Sequence, residues 1–334
     1  MGAAMAHRYR SPAGCAGKCL WRLTRCPEPL LLLLLSTSVL IACAPASSAH
    51  ELPRTALVTT IENMGSDTMV NLALAWAEDY MHLHPEVRIS VTGGGSGTGI
   101  AALINGTVDI ANASREIKPE EVERARANGV TPVEFTVARD AIAIVVHPSN
   151  PVDSLTLEQI SRIYTGRITN WREVGGEDRP IVLLSRESNS GTYVYFLENV
   201  VRMGNPNDES LFSPDTLLMP SSEGISAEVR QNPNAIGYDG LGYVTPDQKV
   251  LAVTAREDDA PVIPSVETVN QGIYPISRPL YMYTVGEPQS VIKDYIEWVR
   301  TGGQKRVAEL GFVPLRERVT LSNDISSPAV AVLP

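Results

Sequence analysis

The apolar positions change period along the chain, and each change predicts an element. Ala56 to Ile61 is a β-branched run that predicts a strand. Met69, Leu72, Ala73, Trp76 and Tyr80 then recur at helical spacing, which predicts a helix from Thr68 to His82. Val87 to Val91 reads as a second strand. A glycine-rich turn and a helix through Ile104 follow, and Asn105-Gly106 breaks the chain. Val108 to Ala111 predicts a third strand, and Pro119 to Ala127 a helix with proline at its start and Gly129 past its end. Val133 to Val146 is a long apolar run for a single strand, and it reads as a strand that leaves one lobe and enters another. Thr156 to Tyr164 and Gly191 to Asn199 are helix-patterned, and Ile181 to Leu184 and Pro279 to Thr284 strand-patterned. Gln289 to Arg300 carries Ile292, Ile296 and Val299 on one helical face. Gly204 to Ser222, rich in Pro, Asn, Asp and Ser, reads as a surface loop, and the tail after Leu321 has no periodicity. Strands alternating with helices are the signature of an α/β protein.

The first fifty residues follow another logic. Arg8, Arg10, Lys18, Arg22 and Arg25 precede an apolar stretch from Leu30 to Leu35 and Val39 to Ile41. That stretch is about a dozen residues, short of the roughly 20 a permanent membrane helix needs, so it reads as a signal peptide. It ends in Leu40-Ile41-Ala42-Cys43, which resembles the lipobox of bacterial lipoproteins. The resemblance implies removal of residues 1–42, acylation of Cys43 and an exported, lipid-anchored protein in the periplasm or on the outer face of the cell membrane. A plain signal peptide cut near Ala49 is the alternative. Cys15, Cys19 and Cys26 lie in the leader at spacings of no zinc or disulfide pattern, so the mature chain is expected to carry no disulfide.

The whole sequence carries 28 Lys and Arg against 38 Asp and Glu, a net charge of −10, and removing the leader makes it more acidic. That balance argues against nucleic acid as the main partner. With 43% apolar and 20% charged residues, the composition is that of a folded globular protein.

Chemistry concentrates in three small-residue turns, each between a predicted strand and a predicted helix. They are Gly65-Ser66-Asp67-Thr68, the run from Gly93 to Gly99 with five glycines in seven residues, and Ser188-Asn189-Ser190-Gly191-Thr192 with Arg186 just upstream. Each offers hydroxyls and unpaired backbone N–H groups at a helix start, where the helix dipole also favours an anion. One helix terminus contributes about 0.3–1 kcal/mol to a nearby charge and one hydrogen bond to a charged group about 1.5–3 kcal/mol. Micromolar affinity needs about 8 kcal/mol, so one turn falls short and three converging turns with a bidentate Arg186 suffice.

Other chemistries fit worse. Gly99 is followed by Ile100 where a phosphate-binding P-loop needs Lys. Ser96 has Gly94 before it but Thr98 after it, which breaks the nucleophile-elbow pattern. His82 and His84 have no third ligand nearby in sequence, so no metal site is expected, and no general base is evident for nucleophilic catalysis.

In this order the three turns resemble the phosphate-binding proteins of bacterial ABC transporters, of the type II periplasmic-binding-protein fold. The resemblance runs from Ala56 to about Leu315. It includes Trp76, Asn105-Gly106-Thr107-Val108-Asp109, Thr169-Asn170-Trp171, Ala235-Ile236-Gly237-Tyr238 and the closing Gly311-Phe312-Val313-Pro314-Leu315. It implies two lobes, with mixed sheets flanked by helices and hinge strands between them. One lobe would combine 51–138 with 276–334 and the other would span 139–275. It also implies a phosphate site of Ser66, Asp67, Thr68, Ser96, Gly97, Arg115, Arg186, Ser190, Gly191 and Thr192. Partners would be inorganic phosphate and the permease and ATPase subunits of an importer. The protein would be a monomer without cofactor or enzymatic activity.

One position departs from the family. Where its best-known members place an Asp that accepts the phosphate proton, this chain has Arg115, in Asn112-Ala113-Ser114-Arg115. An arginine strengthens anion binding but cannot accept a proton. Asp67 or Asp140 would have to take over, Asp67 first because it lies in a ligand loop. Alternatives are a binder of another tetrahedral oxyanion such as sulfate, a secreted phosphate-ester hydrolase using Ser96 or Ser190, and a surface adhesin or sensor.

Overall fold

A computed structural model describes residues 58–316. The leader, Cys43 and the tail after Leu321 lie outside these residues.

Ten strands and nine α-helices alternate in this region. Three parallel strands, β1 (Thr59–Gly65), β2 (Val87–Thr92) and β3 (Ile110–Ala113), begin the sheet in the order β2-β1-β3. Helices α1 (Val70–Leu83), α2 (Ser96–Ile104) and α3 (Pro119–Ala127) separate and follow them, and a 3-10 turn over Asp67–Met69 opens α1. Then comes β4 (Pro132–Val146), whose two ends have different partners. Pro132 to Ala141 pairs antiparallel with β10 (Ser277–Val285), while Ile142 to Val146 pairs with β8 (Ala235–Gly240) and in part with β9 (Lys249–Thr254). The expected crossing strand is therefore present. Between β4 and β10 lie β5 (Ser154–Thr156), α4 (Leu157–Tyr164), β6 (Val182–Arg186), α5 (Gly191–Phe196), β7 (Leu217–Met219), α6 (Ser222–Gln231), β8, β9 and α7 (Val266–Gln271). Helices α8 (Ser290–Val299) and α9 (Gln304–Glu309) close the fold.

Two large apolar cores flank the crossing. One packs Ile61, Trp76, Tyr80, Ile110, Leu280, Tyr295 and Phe312 beneath α1 and α8. The other packs Ile142, Ile160, Tyr164, Trp171, Phe196, Tyr238 and Leu251. In the first, the Trp76 indole N–H donates to the Gly303 carbonyl at 2.8 Å and ties α1 to the turn before α9.

The structure moves several expected boundaries. β1 runs through Glu62 and Asn63 to Gly65 because its backbone pairs on both sides, with β2 and with β3, so pairing outweighs the polar side chains. β3 begins at Ile110, two residues late, since Asp109 turns its carboxylate onto the Glu62 N–H at 2.9 Å. The expected loop from Gly204 to Ser222 contains β7, which pairs with β6, and ends in the first residue of α6. The helix expected to Asn199 passes into a π turn over Leu197–Val201.

Candidate functional site

The three turns meet where the two halves face each other. Gly95 carries φ +91°, and a Cβ there would lie 2.7 Å from the Asn189 carbonyl, so glycine is what lets the first half's backbone approach the second. The approach is held by hydrogen bonds in both directions. Gly97 N–H donates to the Asn189 carbonyl at 2.9 Å, and Asn189 Nδ2 donates to the Gly94 carbonyl at 2.8 Å.

Inside this closure lies a cluster of buried hydroxyls. Ser66 Oγ donates to Ser114 Oγ at 2.9 Å, and Ser96 Oγ lies 3.3 Å from Ser114 Oγ while accepting from the Ser114 N–H at 3.0 Å. Thr68 and Thr192 approach from opposite halves, with their Oγ1 atoms 2.8 Å apart. Ser190 caps α5 by accepting from the N–H groups of Thr192 and Tyr193. Gly191 packs so close to the serines that a Cβ would fall 2.3 Å from Ser96 Oγ and 2.6 Å from Ser114 Oγ. Ser66, Thr68, Ser96, Ser114, Ser190 and Thr192 are all buried.

Arg186 and Asp67 join the halves by charge. Arg186 Nη2 donates to Asp67 Oδ2 at 2.7 Å, and Asp67 Oδ1 accepts from the Gly94 N–H at 2.8 Å. The arginine side chain is 1% exposed and the aspartate 17%. Behind them, Arg186 Nη1 donates to Ser222 Oγ at 3.1 Å. Asp239 is buried nearby, and its Oδ1 accepts from the Gly240 N–H at 2.9 Å. Burial pushes its carboxyl up to about 7, against the opposing pull of the Ser222 hydroxyl and the Arg186 charge.

Nine of the ten expected ligand residues thus gather in one cluster, and Arg115 stands at its edge. Its guanidinium is 3.7 Å from where a Gly97 Cβ would be. Both terminal nitrogens are engaged by Glu121, at 2.7 and 2.8 Å, and one also donates to the Glu116 carbonyl. Burial is the largest influence and raises the Glu121 carboxyl, but the Arg115 hydrogen bonds, the Lys118 N–H and the charges of both residues together outweigh it and hold Glu121 below the usual range. Asp140 is fully buried on β4 and pairs with Arg278 on β10 at 3.2 Å. Burial raises its carboxyl, and the Arg278 charge and hydrogen bond oppose the shift.

Sequence reasoning missed Arg278, Ser114, Ser222 and Asp239. Ser114 stood beside the singled-out Arg115 and could have been found. Arg278 stands one residue before the run read as a strand, Pro279 to Thr284, and nothing local marks it. A cleft of about 370 Å³ opens beside the cluster, lined by Arg115, Lys118, Tyr195, Glu198, Arg278 and Tyr281 among others. Among the described residues, no group of three or more His, Cys, Asp or Glu is placed to hold a metal ion.

Residues 52–301 match the model of the PBP superfamily domain. The phosphate-binding protein PstS of Pseudomonas aeruginosa is 33% identical over 277 residues, covering 78% of this chain and 84% of that protein. PstS of Bacillus subtilis is 31% identical over 255 residues, covering 76% and 80%. A crystal structure from Clostridium perfringens, assigned as a phosphate ABC transporter substrate-binding protein and holding bound phosphate, superimposes with a TM-score of 0.69. It is 33% identical and covers 77% of this chain and all of that one. With the family model spanning most of the chain and relatives aligned over most of their own length, this chain belongs to the PBP superfamily, in its PstS-like phosphate-binding family.

Proposed function

We propose that this protein is an extracytoplasmic solute-binding protein that captures inorganic phosphate between its two lobes and delivers it to an ABC importer. One observation carries the reading. Ser66 to Thr68, Ser96-Gly97 and Ser190 to Thr192 come from three separate helix starts and converge on one buried cluster with Arg186 beside it. Such a cluster presents donors without burying a net cationic charge, which suits a small, strongly hydrated anion. The PstS relatives and the phosphate-bound structural neighbour support phosphate as that anion.

The lobes we assign are 51–138 with 276–334, and 139–275, and the two-partner pattern of β4 supports a hinge near Arg139 to Ile142. Asp67 is the proposed acceptor of the phosphate proton. Its two oxygens each take one hydrogen bond from the protein, and a carboxylate has lone pairs to spare. Asp140 carries as many hydrogen bonds, from Arg278 and the Leu241 N–H, but it is fully buried while the Asp67 side chain is 17% exposed, so Asp67 is the more accessible of the two. Arg115 stays in the binding set for its place beside Gly97, with Glu121 as counter-ion. Cys43 is the proposed lipid attachment point, and the mature protein is proposed to act as a monomer.

Calorimetric titration of residues 44–334 with phosphate and then sulfate tests this reading. Micromolar phosphate binding with sulfate silent is the expected result. Equal binding of both anions would broaden the function to oxyanion capture, and no binding of either would overturn it. A phosphatase assay on the same sample is expected to show no turnover. Among the described residues, Ser96 Oγ hydrogen-bonds only to Ser114 and Ser190 Oγ caps α5, so neither has a base within hydrogen-bond reach there.

A further inference from the structure

Arg278 lies on β10, 2% exposed, with its guanidinium carbon 5.5 Å from the centre of the Tyr195 ring. Its Nη2 donates to Thr192 Oγ1 at 2.8 Å, to Asp140 Oδ2 at 3.2 Å and, at the long limit, to Thr68 Oγ1 at 3.4 Å. One guanidinium nitrogen therefore touches a hydroxyl from each half of the cleft while anchored to the strand beside its own.

The polarity of these bonds is forced. Arginine has only donors, so the Thr192 oxygen accepts from Arg278, and neither threonine hydrogen can point at the guanidinium. The two hydroxyls lie 2.8 Å apart, and one of their hydrogens is used between them, whichever donates. The other hydrogen remains, with no acceptor among the described residues. Nε and Nη1 of Arg278 also meet no acceptor among the described residues. Each unmet buried donor costs stability, which argues that this arginine serves something other than the rigidity of the hinge.

We infer that Arg278 is a positioning residue of the anion site: by donating to Thr192, and more weakly to Thr68, it turns the threonine pair into a hydrogen-bond donor aimed at an unprotonated oxygen of the anion. This rests on the phosphate reading above and adds a residue to it. Asp140 holds the guanidinium in place and balances its charge, so the effect on the anion is directional and does not depend on a net buried cation. Arg278 reaches both threonines only when the halves meet, so the donor is assembled on closure.

The test is a double-mutant cycle read by phosphate titration, starting from the unmodified protein. Arg278→Lys keeps the buried charge but loses the planar fork, and Asp140→Asn with Arg278→Gln removes both charges together, so that neither is left unpaired. Each is made alone and in the Thr192→Val background. With Thr192 present, the pair substitution is expected to weaken phosphate binding by roughly 10- to 150-fold, the worth of one hydrogen bond to a charged group, and Arg278→Lys by less. In the Thr192→Val background neither is expected to weaken it more than about twofold, because the hydroxyl through which Arg278 acts is gone. Losses that multiply across the cycle, or variants binding within twofold of the unmodified protein, overturn the inference. If the pair substitution does not fold, Arg278→Lys carries the cycle by itself. An unmodified protein that ignores phosphate overturns the binding reading itself, which separates the two failures.

Discussion

Gly191→Ala should weaken phosphate capture severely while leaving the protein folded. The added Cβ would meet Ser96 Oγ at 2.3 Å, Ser114 Oγ at 2.6 Å and Ser96 Cβ at 3.0 Å. The first two fall about 1 Å short of the ~3.5 Å at which non-bonded atoms attract. Ser96 and Ser114 are locked to each other by the Ser114 N–H and cannot both step aside. Both serines belong to the first half and Gly191 to the second, so the clash is relieved by parting the halves and not by unfolding either. Parting them by about that distance removes the α5 turn from the anion. If two hydrogen bonds to a charged group are lost, at about 1.5–3 kcal/mol each, affinity falls on the order of a hundredfold or more. The unliganded protein should melt no lower, because alanine in a helix costs about 0.5–1 kcal/mol less than glycine. Titration calorimetry and a thermal melt without phosphate measure both quantities on one sample. Affinity within threefold of the unmodified protein would refute the reasoning. So would a lowered melting midpoint, which would place the clash inside one half.

Four further outcomes are expected. Asp67→Asn removes the partner of a 1%-exposed arginine and the proposed proton acceptor, so phosphate binding should weaken at least tenfold and the preference over sulfate should narrow; unchanged selectivity would remove Asp67 from that role. Asp239 has a folded-state value of about 7 against 3.8 for the free carboxyl, so its stabilising contribution is complete below about 3.8 and is lost as pH rises through 7. Asp239→Asn should therefore flatten the fall in urea midpoint between those pH values, and parallel curves for the two proteins would contradict the assignment. Trp76→Phe removes one of two hydrogen bonds to the Gly303 carbonyl, which keeps the Arg306 N–H at 3.1 Å, and should cost about 0.5–1.5 kcal/mol in urea unfolding, with phosphate affinity unchanged once folded; no measurable cost would mean that bond is dispensable. Cys43→Ala should release the protein from the membrane fraction of cells expressing the full chain, and retention there would refute the lipid anchor.

Much of the architecture was legible in the chain because local pattern and tertiary context agree. The Trp76 helix, α3 with its proline and glycine punctuation, and the long β4 follow from periodicity and from which residues can begin or end a helix. The pattern failed where long-range pairing decided the outcome. The polar Glu62-Asn63 became strand because β2 and β3 flank it, and β7 formed inside an apparent loop because β6 offered an edge.

The site divides along the same line. The three turns were readable in the chain, since small hydroxyl residues and glycines at helix starts state their donors locally, and so was Arg186 beside one of them. That these turns converge, that Arg186 meets Asp67, that Arg115 turns to Glu121, and that Arg278 reaches Thr192 across 86 positions of chain emerged with the packed fold. The physical reason is range. Capping and periodicity act over a turn of helix and leave their mark in neighbouring residues, whereas a hydrogen bond between β10 and α5 exists only because β4 carries both halves and brings them face to face.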